Sequence, residues 1–101
     1  MSARPDISFI IPVYNKADVL PYVLSRLAAQ DLPYPVEYIF VDDSHDHTPA
    51  AIAYLAPSFD FAVDVVHREP GNRAGGLSGA VLEGFRRARA DWLAVMDADL
   101  Q

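Results

Sequence analysis

The chain alternates between short β-branched or aromatic runs and longer runs with apolar residues three and four apart. Ile7-Ser8-Phe9-Ile10-Ile11, closed by Pro12, predicts a short buried strand. Asp18 then offers a helix N-cap, and Val19, Leu20, Val23, Leu24, Leu27 and Ala28 follow at helical spacing. Pro21 falls in the first turn of that helix, where a missing N–H costs little. Asp31-Leu32-Pro33-Tyr34-Pro35 breaks it. Val36 to Val41 predicts a second strand that ends in Asp42-Asp43. Thr48 caps a second helix with Pro49 at its first position, and Ala50 to Leu55 carry it toward Pro57. Phe59, Phe61, Val63 and Val65 alternate, which predicts a third strand over 59–66. After a Gly-containing loop, Leu77, Val81, Phe85 and Ala88 mark a third helix at i, i+4 spacing. Arg86, Arg87 and Arg89 lie near its C-terminal end, where the helix dipole favours cations. Asp91 turns the chain into Trp92-Leu93-Ala94-Val95-Met96, which reads as a buried strand.

The order β-α-β-α-β-α-β predicts an α/β, Rossmann-like fold: a mainly parallel sheet, right-handed crossovers, and helices on both faces. Parallel strands carry their C-terminal tips to one edge, which is where open α/β sheets bind ligands. A length of 101 residues suits one small domain, and the chain contains no internal repeats. It stops where a loop at the fourth strand tip would begin, so the expectation is the first half of a larger domain. A half-domain with an uncovered sheet edge is prone to self-association.

The composition narrows the class of function. The apolar fraction of 51% supplies a core, and the net charge of −6 argues against a nucleic-acid surface. There are no cysteines, hence no disulfide framework and no thiolate chemistry, which fits a reducing, cytoplasmic compartment. The N-terminal residues Met1 to Asp6 do not read as a signal peptide. No run approaches the roughly 20 apolar residues of a membrane span. An acidic chain that handles phosphates needs compensating positive charge, and a bound cation supplies it.

The candidate chemistry sits at the strand tips. If the last strand stays extended, Asp97, Asp99 and Gln101 project to one side, giving two carboxylates and a carboxamide oxygen at one point. Hard oxygen ligands of this kind suit Mg²⁺ or Mn²⁺. Taken alone, acidic residues at a strand end are as readily solvated turn residues. At the first tip, Tyr14 can stack on a planar base and Asn15 can hydrogen-bond it; the bland reading is a surface turn. At the second, Asp42 and Asp43 repel each other, and a donor-rich ligand such as a nucleobase N–H edge or ribose hydroxyls would compensate. His45 and His47 flank Asp46; two histidines in a polar loop are more often solvated than metal-bound. In the third loop Arg68 and Arg73 are the basic residues near this edge, and Gly75-Gly76 precedes a helix N-terminus, which attracts anions. The spacing is neither G-x-G-x-x-G nor a P-loop, which weakens a dinucleotide reading.

Ile10-Ile11-Pro12-Val13-Tyr14-Asn15, Val41 to Thr48, Gly76-Leu77-Ser78-Gly79-Ala80 and Met96 to Gln101 together resemble family 2 glycosyltransferases, over nearly the whole chain from Ile7 to Gln101. The MDADLQ ending after the GLSGA helix resembles the polyprenol-phosphate (dolichyl-phosphate) mannosyltransferase group. The resemblance implies a GT-A fold and inverting transfer of a sugar, mannose or glucose, from a nucleotide donor (GDP-mannose or UDP-glucose) to a lipid-phosphate acceptor at the inner face of a membrane. It implies that Pro12, Tyr14, Asn15, Asp42, Asp43, Arg73 and Asp97 bind the donor, with Asp42 at the base and Asp97 at the ribose or metal. It implies that Asp99 and Gln101 hold Mg²⁺ or Mn²⁺ beside the diphosphate. Lys16 and His45 depart from the family pattern, which bears on donor preference rather than on the fold. The acceptor part is missing from these residues, so no catalytic base is named, and the piece is expected to bind nucleotide without transferring sugar.

Two other classes remain. A receiver module is also β-α-β with an acidic Mg²⁺ pocket, but it places paired acids after its first strand; here they follow the second. A sugar-phosphate nucleotidyltransferase wants a Gly-rich basic loop after strand one, where this chain has Pro12-Val13-Tyr14-Asn15.

Overall fold

The computed structural model describes residues 4–14, 20–30, 32–44, 48–58, 62–69, 71, 73 and 75–96. Within them run β1 (Ile7–Val13), α1 (Leu20–Ala28), β2 (Val36–Asp42), α2 (Thr48–Leu55), a 3₁₀ turn (Ala56–Ser58), β3 (Ala62–His67), α3 (Gly76–Arg87) and β4 (Trp92–Val95). The four strands form one sheet in the order β3-β2-β1-β4, and each neighbouring pair is parallel. The expected α/β class and element order are both present.

Strand alternation divides the core into two layers. Ile11, Val13, Tyr38 and Phe40 face α1 and α2, where Leu20, Val23, Leu24, Leu27 and Ile52 close over them. Phe9 stacks on Tyr38 in the same layer, ring centroids 5.4 Å apart. Ile10, Ile39, Val41 and Val66 face the opposite way, onto Ala80 of α3. Each large side chain buried in this way stabilises the fold by roughly 1.5–3 kcal/mol. β2, central and covered on both faces, is buried at every position after Val36. This is the near-continuous apolar run that parallel strands require.

Burial departs from the apolar pattern in two places. The third helix forms as read, but its sheet-facing row is Ala80 and Gly84, with Ala88 packed beside them, while Leu77 is 71% exposed and Phe85 also lies outward. Small residues face the sheet because the helix lies very close to it: a Cβ at Gly84 would fall 2.3 Å from Cγ2 of Ile10. The fourth strand was expected to be buried, yet Trp92 is 74% exposed and Leu93 and Val95 are also exposed. β4 pairs with β1 on one side only and forms an edge of the sheet, so its apolar pattern is not matched by cover among the described residues. The third strand starts at Ala62, and residues 59–61, read as its beginning, lie outside the described residues, as do Asp18 and Val19, read as opening the first helix.

The N-terminal edge of the sheet is fastened by a buried carboxylate. Glu37 accepts hydrogen bonds from Ser8 Oγ, from the Arg89 backbone N–H at 2.7 Å and from Arg89 Nε at 3.0 Å. Ser8 Oγ in turn accepts from the Ala90 backbone N–H at 3.2 Å. Three segments distant in sequence, β1, β2 and the turn entering β4, are thereby held together. Burial pushes the Glu37 carboxyl up, but the hydrogen bonds from Ser8 and Arg89 and the charge of Arg89 outweigh it and hold it below the ordinary glutamate value. On the rim, Arg4 binds the Arg89 carbonyl and Asp91 through an exposed ion pair of 2.8 Å.

Candidate functional site

Parallel pairing brings the C-terminal ends of all four strands to one edge. Val13, Asp42 and His67 are in register across β1, β2 and β3. The ladder runs one step further at this edge: Asp43 N–H donates to the Val13 carbonyl (3.1 Å) and Arg68 N–H to the Asp42 carbonyl (2.8 Å). Met96 N–H donates to the Ile10 carbonyl at 2.9 Å, so β4 is still paired with β1 where the described residues end. Asp97, Asp99 and Gln101 come next in sequence and lie outside the described residues, as do Asn15, His45 and His47.

The acid pair at the tip of β2 is compensated by the chain's own donors. Asp42 has no solvent exposure. One of its oxygens accepts from Ser44 Oγ; the other accepts from His67 Nδ1 at 2.6 Å and from the Ser44 N–H at 3.3 Å. Because a carboxylate accepts, Nδ1 of His67 carries the hydrogen. The far side of the same ring lies 3.8 Å from Glu69. Asp43 points elsewhere. Its two oxygens are gripped by Arg68, from Nε at 2.8 Å and from one terminal nitrogen at 2.7 Å, the forked geometry of the strongest side-chain pairs. Asp43 keeps 19% of its side-chain surface.

Arg68 is itself nearly buried and also donates to the Gly76 carbonyl at the start of α3, 3.0 Å away. Hydrogen bonding to Asp43 holds its guanidinium above the usual arginine value, against the opposing effect of burial. Arg73 braces the loops: Nε donates to the Arg68 carbonyl (2.8 Å) and a terminal nitrogen to the Ser44 carbonyl (2.9 Å), with Asp43 at 3.9 Å. Gly75 (φ 79°) and Gly76 (φ 54°) occupy the left-handed region at the start of α3, a conformation that glycine adopts without strain. The loops after β2 and β3 and the first turn of α3 therefore form one cross-linked wall. Tyr14, 55% exposed, follows Val13 at the neighbouring tip, and Pro12 is half-buried.

Of the residues expected to bind a donor, Pro12, Tyr14, Asp42, Asp43 and Arg73 thus share this edge, with Asp42 inside the wall rather than on its surface. His67 and Ser44 were not singled out in sequence; the readable signal for His67 was a polar residue closing the third strand opposite the acid pair. A cavity of 550 Å³ lies at the other end of the sheet, lined by Pro5, Ile7, Tyr34 and Trp92, away from the strand tips. No group of three His, Asp or Glu side chains suited to a metal occurs among the described residues. No described helix is long and apolar enough to cross a membrane.

The parallel sheet with acids at a strand tip defines an open α/β class, and comparison with known proteins makes it specific. Residues 8–101 match the model of glycosyl transferase family 2, and the chain belongs to that family. It is 40% identical over 97 residues to a dolichol-phosphate mannosyltransferase of Pyrococcus furiosus, covering 94% of this chain and 26% of that protein. It is 36% identical over 99 residues to an undecaprenyl-phosphate 4-deoxy-4-formamido-L-arabinose transferase of Pseudomonas fluorescens, covering 94% of this chain and 28% of that one. Among solved structures, a Pyrobaculum calidifontis mannosyltransferase in complex with GDP-Man and Mn²⁺ superposes with a TM-score of 0.79 at 31% identity, over 97% of this chain and 28% of the other. Staphylococcus aureus TarS (residues 1–349) in complex with UDP superposes with a TM-score of 0.75 at 26% identity, over 93% and 27% of the two chains. The chain thus spans about a quarter of the length of the relatives it matches. The GT-A fold expected from sequence is the fold of these neighbours.

Proposed function

We propose that these residues are the nucleotide-sugar-binding part of a glycosyltransferase that moves a hexose, mannose or glucose, from a GDP or UDP donor to a polyprenol phosphate. The observation that carries this reading is the wall at the strand tips, where an aromatic face, a surface carboxylate and two arginines converge within a family 2 chain. Support also comes from the GDP-Man and Mn²⁺ bound to the Pyrobaculum neighbour and from the polyprenol-linked names of the sequence relatives.

In this reading Pro12, Tyr14, Asn15, Asp43, Arg73 and Asp97 line the donor site. Asp42 serves it from within, by holding the Ser44 turn and His67. Asp99 and Gln101 hold the cation, since a carboxylate and a carboxamide oxygen form a donor set that suits Mg²⁺ or Mn²⁺. When bound, that ion supplies positive charge beside the leaving diphosphate. The acceptor is already a phosphate anion. One of its oxygens attacks the anomeric carbon from the face opposite the diphosphate, the sugar–diphosphate bond breaks, and the configuration inverts. No proton has to be removed from such a nucleophile, so the chain needs no dedicated base. A polyprenol acceptor places the reaction at the cytoplasmic face of a membrane.

The acceptor site belongs to polypeptide beyond these residues, and the 101-residue chain alone binds donor without turnover. Calorimetric titration with GDP and UDP, with and without Mn²⁺, tests the binding. Incubation with labelled GDP-mannose and a polyprenol phosphate tests the transfer. Nucleotide affinity that rises with Mn²⁺ and an absence of product are expected. Failure to bind either nucleotide sinks the reading.

A further inference from the structure

Asp43 is the member of the acid pair with surface to offer a ligand, and Arg68 decides which way it faces. Two nitrogens of one planar guanidinium meet both Asp43 oxygens at 2.8 and 2.7 Å, so the carboxylate cannot turn without breaking both bonds. Arg68 is in turn immobilised by the Gly76 carbonyl and by burial. Its own backbone is fixed by the bond from its N–H to the Asp42 carbonyl and by Arg73 on its carbonyl. The lone pairs that Arg68 does not use therefore have a set direction.

A carboxylate accepts hydrogen bonds and does not donate them. Held in one direction, it reads a ring position. Uracil and guanine put a ring N–H donor at the middle of their pairing edge. Cytosine and adenine put a bare ring nitrogen there, which repels the carboxylate. A carboxylate free to rotate would instead find the amino group of either base and discriminate poorly.

From this geometry we propose that Arg68 is a positioning residue that sets nucleobase selectivity by aiming Asp43 at a ring N–H, so that uridine and guanosine diphosphates are accepted and cytidine and adenosine diphosphates rejected. The inference rests on the nucleotide-binding function proposed above and goes beyond it in naming the group that confers selectivity. Sites built to pair a polar ligand atom discriminate strongly because a mismatch leaves that group unpaired.

The test is calorimetric titration of this chain with GDP, UDP, ADP and CDP at fixed Mn²⁺, for the native protein, Arg68→Lys and Arg68→Met, with thermal unfolding measured in parallel. The native chain is expected to bind GDP and UDP at least roughly tenfold more tightly than ADP and CDP, the factor that one charge-assisted hydrogen bond supplies. Arg68→Met should compress that preference to within about twofold, and Arg68→Lys, which keeps the charge but loses the fork, should fall between. Asp43→Asn should remove the preference by itself, and adding Arg68→Met should change it no further. If Arg68→Met does not fold, Arg68→Lys decides alone. Uniform weakening of all four nucleotides, or an unchanged preference, overturns the role in selectivity. Absence of binding by the native chain overturns the nucleotide reading itself. Binding by the native chain without preference overturns only the inference.

Discussion

β2 carries a buried carboxylate at each end, and the two are built alike but set to different work. Glu37 at the start and Asp42 at the end each accept three hydrogen bonds from residues brought in by tertiary folding or by the adjoining turn. Around Glu37 the partners close the edge: a serine of β1 and the backbone and side chain of Arg89 consume its oxygens, and nothing chemical is presented outward. Around Asp42 the partners open the edge. Ser44 and His67 satisfy the buried acid, and the next residue, Asp43, emerges beside Arg68 and Arg73 with part of its carboxylate on the surface. The lesson is that a buried acid by itself does not mark a site. What marks it is the second, partly exposed acid held in a fixed direction, at the edge where parallel strands end.

The contrast is broken most severely at the closed end. Glu37→Ala leaves the Ser8 hydroxyl and the Arg89 N–H without their acceptor, and a loss of about 3 kcal/mol is expected. For a domain of this size that lowers the unfolding temperature by more than about 10 °C, at roughly 4–8 °C per kcal/mol. Denaturant unfolding measures it, and nucleotide affinity of the folded protein should remain at its native value. Reduced affinity without reduced stability would place Glu37 in the functional edge and erase the distinction.

At the open end, Asp42→Asn should lose less stability, about 1–2 kcal/mol, because the amide oxygen still accepts while its NH₂ meets donors on the other side. It should also weaken GDP binding severalfold, since the Ser44 turn presents Asp43. Parallel unfolding and calorimetric titrations check both. Stability loss with unchanged affinity would reduce the open end to a second fastening.

Acid should separate the two ends as well. The folded-state pKa of Glu37 is depressed, so its contribution is complete above the unfolded value near 4.5 and is lost as pH falls through the folded one. Glu37→Gln cannot titrate, so it should flatten the stability profile in that acid range. Near neutrality the two profiles should run parallel, separated by a constant offset. Urea midpoints measured across the acid range and up to neutrality test this; an identical slope in the variant removes Glu37 from the acid response.

The smallest effect is expected from Arg4→Ala. Its ion pair with Asp91 lies on the same closed edge but in solvent, and such pairs contribute under about 1 kcal/mol. A larger loss would mean that the fastening extends beyond Glu37.

The alternation of β-branched runs with helical spacing specified four strands, three helices and their order, because both periodicities are local properties of the chain. Strand order β-α-β also implied parallel pairing, and with it a common edge for Tyr14, Asp42, Asp43 and Arg73. Pro21 and Pro49 marked the first turns of α1 and α2, and Pro35 and the Gly75-Gly76 pair marked the entries to β2 and α3, because their backbone preferences act within a residue or two; Pro12, read as closing the first strand, instead lies within β1, which runs on to Val13. Burial followed no such local rule. Leu77 and Phe85 face outward because Gly84 lets α3 approach Ile10, a contact whose closeness depends on residues far apart in sequence. β4 is apolar yet exposed because its environment is set by what lies beside it, which its own pattern does not encode. The partners of the acids were hidden for the same reason. Glu37 meets Ser8 and Arg89 across 29 and 52 residues, and Asp42 and Asp43 meet His67 and Arg68 across 25. Periodicity reveals which residue types alternate along one element; which donor reaches which carboxylate is decided only when strand register sets separate elements side by side.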